Sequence, residues 1–171
     1  GKQSYTTSNS SKDSLWLAFF TFGEGYHNFH HAFQADYRNG IRWWQWDPSK
    51  WWIGAWSIVK FNSNLKKTPK SSIKTAKMRT SFSKIANQSE QNHNENTMNI
   101  FESRSDECIL AMRDSVRYLD EKRVQLRKTS STARKIIIGQ IAQTKDKIIT
   151  INKEFQTLLD EMMSPSIHAT V

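Results

Sequence analysis

From Ile109 to Met162 the apolar residues recur at alternating steps of three and four. Ile109, Met112, Val116, Leu119, Arg123 and Leu126 keep this spacing, and Ile137, Ile141, Thr144, Ile148, Ile151, Phe155, Leu158 and Met162 keep it again. At 3.6 residues per turn such a series lies along one helix face, so two amphipathic helices are expected, over about 102–128 and 132–163. Lys128-Thr129-Ser130-Ser131-Thr132 holds the capping residues for a break between them. The eleven-residue step from Leu126 to Ile137 would also permit one continuous helix with a stutter. A helical hairpin and a self-associating coiled coil are both open on this pattern.

The rest of the chain has a different composition. All seven tryptophans fall between Trp16 and Trp56. Hydrophobic residues make up 37% of the 171 and the mean hydropathy is −0.69, lean for one packed core of this length. The net charge of +9 is concentrated in the middle: residues 61–100 carry seven Lys or Arg against two Asp or Glu, whereas 101–171 carry twelve against ten. That segment, 62–100, is Ser-, Thr-, Lys-, Asn- and Gln-rich and reads as a flexible basic linker, because it has little apolar surface to offset chain entropy. Residues 165–171 read as a disordered end. The one cysteine, Cys108, excludes an intramolecular disulfide and suits a reducing compartment. No apolar run approaches the roughly 20 residues of a membrane-spanning helix. The fold class expected is mainly α: an irregular, tryptophan-rich helical segment (1–61) carrying a histidine cluster, then the linker, then a helical tail (101–164).

Three of the five histidines lie within five residues, His27, His30 and His31. On a helix, offsets of three and four are neighbours, and clustered neutral imidazoles are a metal-ligand pattern. Glu24 is one residue off the histidine face and Asn28 lies between the ligands, so neither is an evident ligand. The stretch lacks the glutamate of His-Glu-x-x-His zinc proteases and the Glu-x-x-His repeats of soluble di-iron bundles. A single zinc on the three rings is a further option, disfavoured because adjacent His30 and His31 diverge by about 100° on a helix.

The segment Gly23-Glu24-Gly25-Tyr26-His27-Asn28-Phe29-His30-His31, with Asp36-Tyr37-Arg38-Asn39-Gly40 and Trp43-Trp44-Gln45-Trp46-Asp47-Pro48-Ser49-Lys50-Trp51 after it, closely resembles the third histidine box of membrane-bound acyl-CoA delta-9 desaturases. The resemblance covers about residues 1–60. It implies a histidine-ligated di-iron centre that uses O2 and two electrons to place a cis double bond in a saturated fatty acyl chain. His27, His30 and His31 would be iron ligands, with Glu24 and Asn28 orienting them. Two earlier histidine boxes and the membrane helices of that family do not appear in this sequence, so it reads as an N-terminally truncated piece that is inactive alone. The partners implied are a fatty acyl-CoA, an electron donor of cytochrome b5 or ferredoxin type, and the cytosolic face of a membrane, the endoplasmic reticulum in a eukaryote.

Trp43, Trp44, Trp46, Trp51, Trp52 and Trp56 crowd into fourteen residues with Arg42, Lys50 and Lys60 among them. Aromatic rings with one apolar and one wet edge, beside snorkelling cations, suit a membrane interface. A packing surface for other helices is the alternative reading. The basic residues form no groove-like pattern, so nucleic acid is not an expected partner. The competing function is non-enzymatic: a coiled-coil interaction or membrane-docking protein that retains a relic metal site.

Overall fold

The computed structural model describes residues 1–89 and 93–164; the end expected to be disordered, 165–171, lies outside them. The described residues form six α-helices and no strand, in two compact units, Gly1–Pro69 and Lys70–Val171.

The first unit contains three short helices, α1 (Leu15–Phe20), α2 (His27–Ala32) and α3 (Pro48–Ile58). Six-residue helices do not hold themselves together in water, because nucleation costs more than one turn of hydrogen bonds returns. Polar clamps from the intervening chain supply the difference. Ser14 caps α1, and Asp47 caps α3 by accepting from the Lys50 N–H, with Pro48 in the first turn where its missing N–H costs nothing. The second Asp47 oxygen accepts from the N–H groups of Asn39 and Gly40, both at 2.8 Å. The Lys50 ammonium then donates to the carbonyls of Gly40, Arg42 and Gln45 at 2.8–3.1 Å, fixing the loop that carries Trp43 and Trp44. Burial pushes the Lys50 pKa down and the Asp47 charge opposes this.

Asp36 closes the unit. Its buried carboxylate takes a two-pronged bond from Arg38, at 2.8 and 2.9 Å, and accepts from the Thr68 N–H at 2.8 Å. Burial alone would raise its pKa, but the Arg38 guanidinium and the Thr68 and Arg38 N–H groups outweigh it and hold the carboxyl below its ordinary value.

The second unit is a three-helix bundle of α4 (Lys70–Ser89), α5 (Glu95–Lys128) and α6 (Ser131–Met163). Thr129 and Ser130, both extended, separate the last two. The hairpin is therefore formed and the continuous helix is not. Arg104 meets Glu161 at 2.7 Å and His93 bonds the Met162 carbonyl, so α5 and α6 run antiparallel. The heptad-like positions make the core: Ile109, Met112, Ile151, Phe155, Leu158 and Met162 are all buried. Arg123 is the exception, held on the surface by Asp120.

The stretch 62–100 differs from the flexible linker expected of it, because α4 occupies 70–89 and α5 begins at Glu95. The few apolar residues of α4 share a face: Met78 is buried in the core, with Phe82, Ile85 and Ala86 packed against it. Whole-segment composition hides such a stripe. Small polar residues fill the close approaches, with Ser71, Thr80 and Ser105 buried. Among the described residues no helix is long and apolar enough to cross a membrane.

Phe155 is fully buried. Phe155→Ala is expected to destabilise the bundle by about 3–5 kcal/mol, read as a lowered urea midpoint in helical circular dichroism. In the first unit, Asp36→Asn removes a carboxylate with a lowered pKa. Its stabilisation is complete above the unfolded carboxyl value of about 3.9 and fades as pH falls through the folded value. The variant's deficit in urea unfolding is therefore expected to be full at neutral pH and to vanish in acid. A deficit that does not change with pH would contradict this.

Candidate functional site

The histidines sit on α2, which lacks a side-chain cap of its own: Tyr26 occupies the N-cap position and makes no such bond. Asp13 supplies the cap from the preceding loop, accepting from the N–H groups of Asn28 at 2.8 Å and Phe29 at 3.2 Å. Asp13 is itself pinned by paired backbone bonds with Lys2 at 2.7 and 2.8 Å. Asp13 and Ser14 are adjacent and both carry the short oxygen-bearing side chain that could cap α1. Ser14 takes that place and Asp13 caps the next helix, a pairing across fifteen residues that local spacing cannot reveal.

Asn28, expected to orient the imidazoles, is fully buried and faces the other way. Its Oδ1 accepts from the N–H groups of Ser4, Tyr5 and Thr6, and its Nδ2 donates to the carbonyls of Thr6 and Ser11. One side chain thus fastens the whole 4–11 loop to the histidine helix. Tyr5 follows it in, its ring edge-on to Phe29 at 5.2 Å. Gly25 brings α1 equally close, since a Cβ there would stand 2.1 Å from the Ala18 nitrogen. Only glycine fits that contact. Glu24, the other expected orienting group, is exposed and accepts from the Asn39 amide at 3.0 Å.

The rings themselves divide two and one. His27 and His31 share a face one turn apart, with their Nε2 atoms 3.0 Å apart and ring centroids at 4.4 Å. His30 lies on the neighbouring face, its centroid 6.0 Å from that of His31. Its Nδ1 is buried without a hydrogen-bond partner. Among the described residues no three of His, Cys, Asp and Glu gather around one point. The single convergence of three imidazoles suggested by their spacing is not formed, for the helical reason that neighbours diverge by about 100°.

Do these residues fit an ion? Two nitrogens 3.0 Å apart match adjacent donors about 2.0–2.1 Å from a shared metal. Without one, the same approach requires one ring to donate its N–H to the other. The orphaned His30 nitrogen marks a second, separate donor. Among the described residues these donors could form part of a histidine-rich centre, and no complete ligand set is gathered.

The six tryptophans of 43–56 are all exposed, from 37% for Trp46 to 84% for Trp43. Leu15, Trp16, Phe19, Tyr26, Trp44 and Trp46 line an apolar cleft of about 430 Å³. Sequence reading did not find the roles of Asp47 and Lys50. The Asp47-Pro48 pair carried a helix-start signal, whereas the carbonyl cage of Lys50 has no local signature.

Comparison with known proteins gives the rest. The chain is 42% identical to acyl-CoA desaturase 1 of Saccharomyces cerevisiae over 85 residues, half of this chain and 17% of the relative. It is 42% identical to a probable acyl-CoA desaturase of Schizosaccharomyces pombe over 73 residues, 43% of this chain and 15% of that one. Palmitoyl-monogalactosyldiacylglycerol delta-7 desaturase of Arabidopsis thaliana is 46% identical over 61 residues, 36% of this chain and 15% of that protein. Up to half of the chain is similar to fatty acid desaturases. Two delta-9 acyl-lipid desaturases of the same plant match at 43%. The chain thus spans about 15–17% of the length of the first three desaturases. No family model and no solved structure matches it.

Asn28→Ala leaves the N–H groups of 4–6 without an acceptor, and is expected to cost about 2–3 kcal/mol. Asp13→Ala is expected to cost about 1–2 kcal/mol through loss of the cap. Tryptophan fluorescence during urea unfolding reads the first unit alone, since every tryptophan lies there.

Proposed function

We propose that this chain is a stretch of a fatty acyl-CoA desaturase whose intact form introduces a cis double bond, at the delta-9 position, into a saturated acyl chain. The observation that carries the reading is the His27–His31 nitrogen pair on a clamped helix, in a chain whose relatives are desaturases. His27, His30 and His31 are assigned as iron ligands in a di-iron centre completed by residues outside this chain. Such a centre, when bound, supplies the O2-derived oxidant that an unactivated methylene requires.

The chain's own residues do the holding. Asp13 and Asn28 fix α2, and α2 sets His27 and His31 on one face and His30 on the next. Imidazole is a suitable donor for iron, and the exposed side of the His27–His31 pair leaves room for the remaining donors. Electrons come from a cytochrome b5-type or ferredoxin donor. The exposed tryptophans rest at the cytosolic face of the membrane, where their rings are favoured. In a eukaryote that membrane is the endoplasmic reticulum.

The test is a chimera carrying this chain in place of the matching segment of the S. cerevisiae relative, in a desaturase-deficient host. Monounsaturated acyl chains are expected, and His27→Ala or His31→Ala should lower them by at least about 100-fold. The isolated 171-residue chain, given iron, O2 and a reductant, is expected to make none. Product from the isolated chain, or unchanged product from both alanine variants, would sink the assignment.

A further inference from the structure

We propose that the tip of the α5–α6 hairpin is an electrostatic docking surface for an anionic phospholipid bilayer. Between Glu121 and Asp146 the chain has seven Lys or Arg and no Asp or Glu. Six of them, Lys122 to Lys135, flank the Thr129–Ser130 turn between α5 and α6. Lys70, the first residue of α4, pairs with Asp120 at 3.6 Å, and Arg79 pairs with Asp106 at 3.8 Å. Helix α4 therefore runs antiparallel to α5 and begins beside Asp120. Beyond that level α5 continues to Lys128, about 12 Å at 1.5 Å per residue, paired with α6 and past the start of α4.

Internal partners account for two of the cations: Arg123 bonds Asp120, and Lys122 bonds Gln125 and lies over the Tyr118 ring. Arg127, Lys128, Arg134 and Lys135 are exposed and make no ion pair among the described residues. Arg127 and Lys128 complement the negative C-terminal end of α5. Arg134 and Lys135 do the reverse. They sit near the positive N-terminal end of α6, whose first turn has no acidic residue. Clustered like charges placed against a helix dipole weaken the fold, so fold stability does not explain them. An external polyanion does.

The form of the surface selects among polyanions. Residues 127 and 128, and again 134 and 135, point about 100° apart on their helices, so the charges surround the tip instead of lining a groove. That distribution meets a broad plane of phosphates. Val124, Ile136 and Ile138, each more than half exposed, ring the tip one turn back. Aliphatic groups there suit the headgroup boundary of a bilayer and have no counterpart on a nucleic acid. The choice of a bilayer rests on reading residues 1–60 as desaturase sequence.

The full 171-residue chain would be tested for co-flotation with vesicles of phosphatidylcholine alone, and with about one third phosphatidylserine. The comparison is a variant with Arg127→Gln, Lys128→Gln, Arg134→Gln and Lys135→Gln, its fold checked by circular dichroism. If the four changes together unfold it, the two pairs are tested separately. The variant is expected to lose at least about tenfold in partition onto anionic vesicles. Raising salt from about 0.1 to about 0.5 M should abolish the parent's advantage over the variant. Equal binding of folded variant and parent to anionic vesicles overturns the proposal. So does tip-dependent binding to RNA or polyglutamate without binding to vesicles. Binding to neutral vesicles reads the tryptophan segment separately: its loss weakens the desaturase reading and leaves the tip result intact.

Discussion

One oxygen of Asp13 decides where the histidine helix begins. Six residues are too few to nucleate a helix that lasts, and α2 has no cap within its own sequence. The Asp13 carboxylate provides two of the missing acceptor contacts, and Asn28, inside the helix, ties the same loop down from the other side. Each clamp needs the other. Without Asn28 the loop that carries Asp13 is free to leave; without Asp13 the turn that carries Asn28 unwinds. The 3.0 Å approach of the His27 and His31 nitrogens stands on that pair.

The two units are stable for different reasons. In Lys70–Val171 a continuous apolar seam is buried, and Met112, Phe155 and Met162 are sealed completely. In Gly1–Pro69 Tyr26 and Phe29 are buried but most large apolar groups stay outside, with Trp16 80% and Phe61 84% exposed, while Asn28, Asp36, Asp47 and Lys50 are inside. Buried polar groups of this kind hold only when each finds partners, and these four do. The inversion suits a segment whose outer surface meets something apolar, as the desaturase reading requires.

The sequence made the long helices readable because a repeat of three and four over fifty residues has few other solutions. It missed α4, where Met78, Phe82, Ile85 and Ala86 on one face are enough once a ready-made groove receives them. The resemblance to desaturases was legible in the histidine segment and its tryptophan-rich sequel, and relatives with that name match the chain. The division of the rings into a pair and a single was also implicit in helical geometry. What spacing could not supply was the support: Asp13 acting on a helix fifteen residues on, or Lys50 gathering three carbonyls. Such contacts join residues that are distant along the chain and carry no local pattern.

That reach along the chain has a temporal consequence. The carboxylate of Asp36 is completed by the N–H of Thr68, thirty-two positions later. During synthesis the first unit therefore cannot close until its final residues have left the ribosome. The hairpin of α5 and α6 can instead zip from the two-residue turn at Thr129 and Ser130, closing short loops before long ones. The first unit thus waits on one late contact, whereas the bundle begins on local contacts and ends on longer ones such as His93 with Met162.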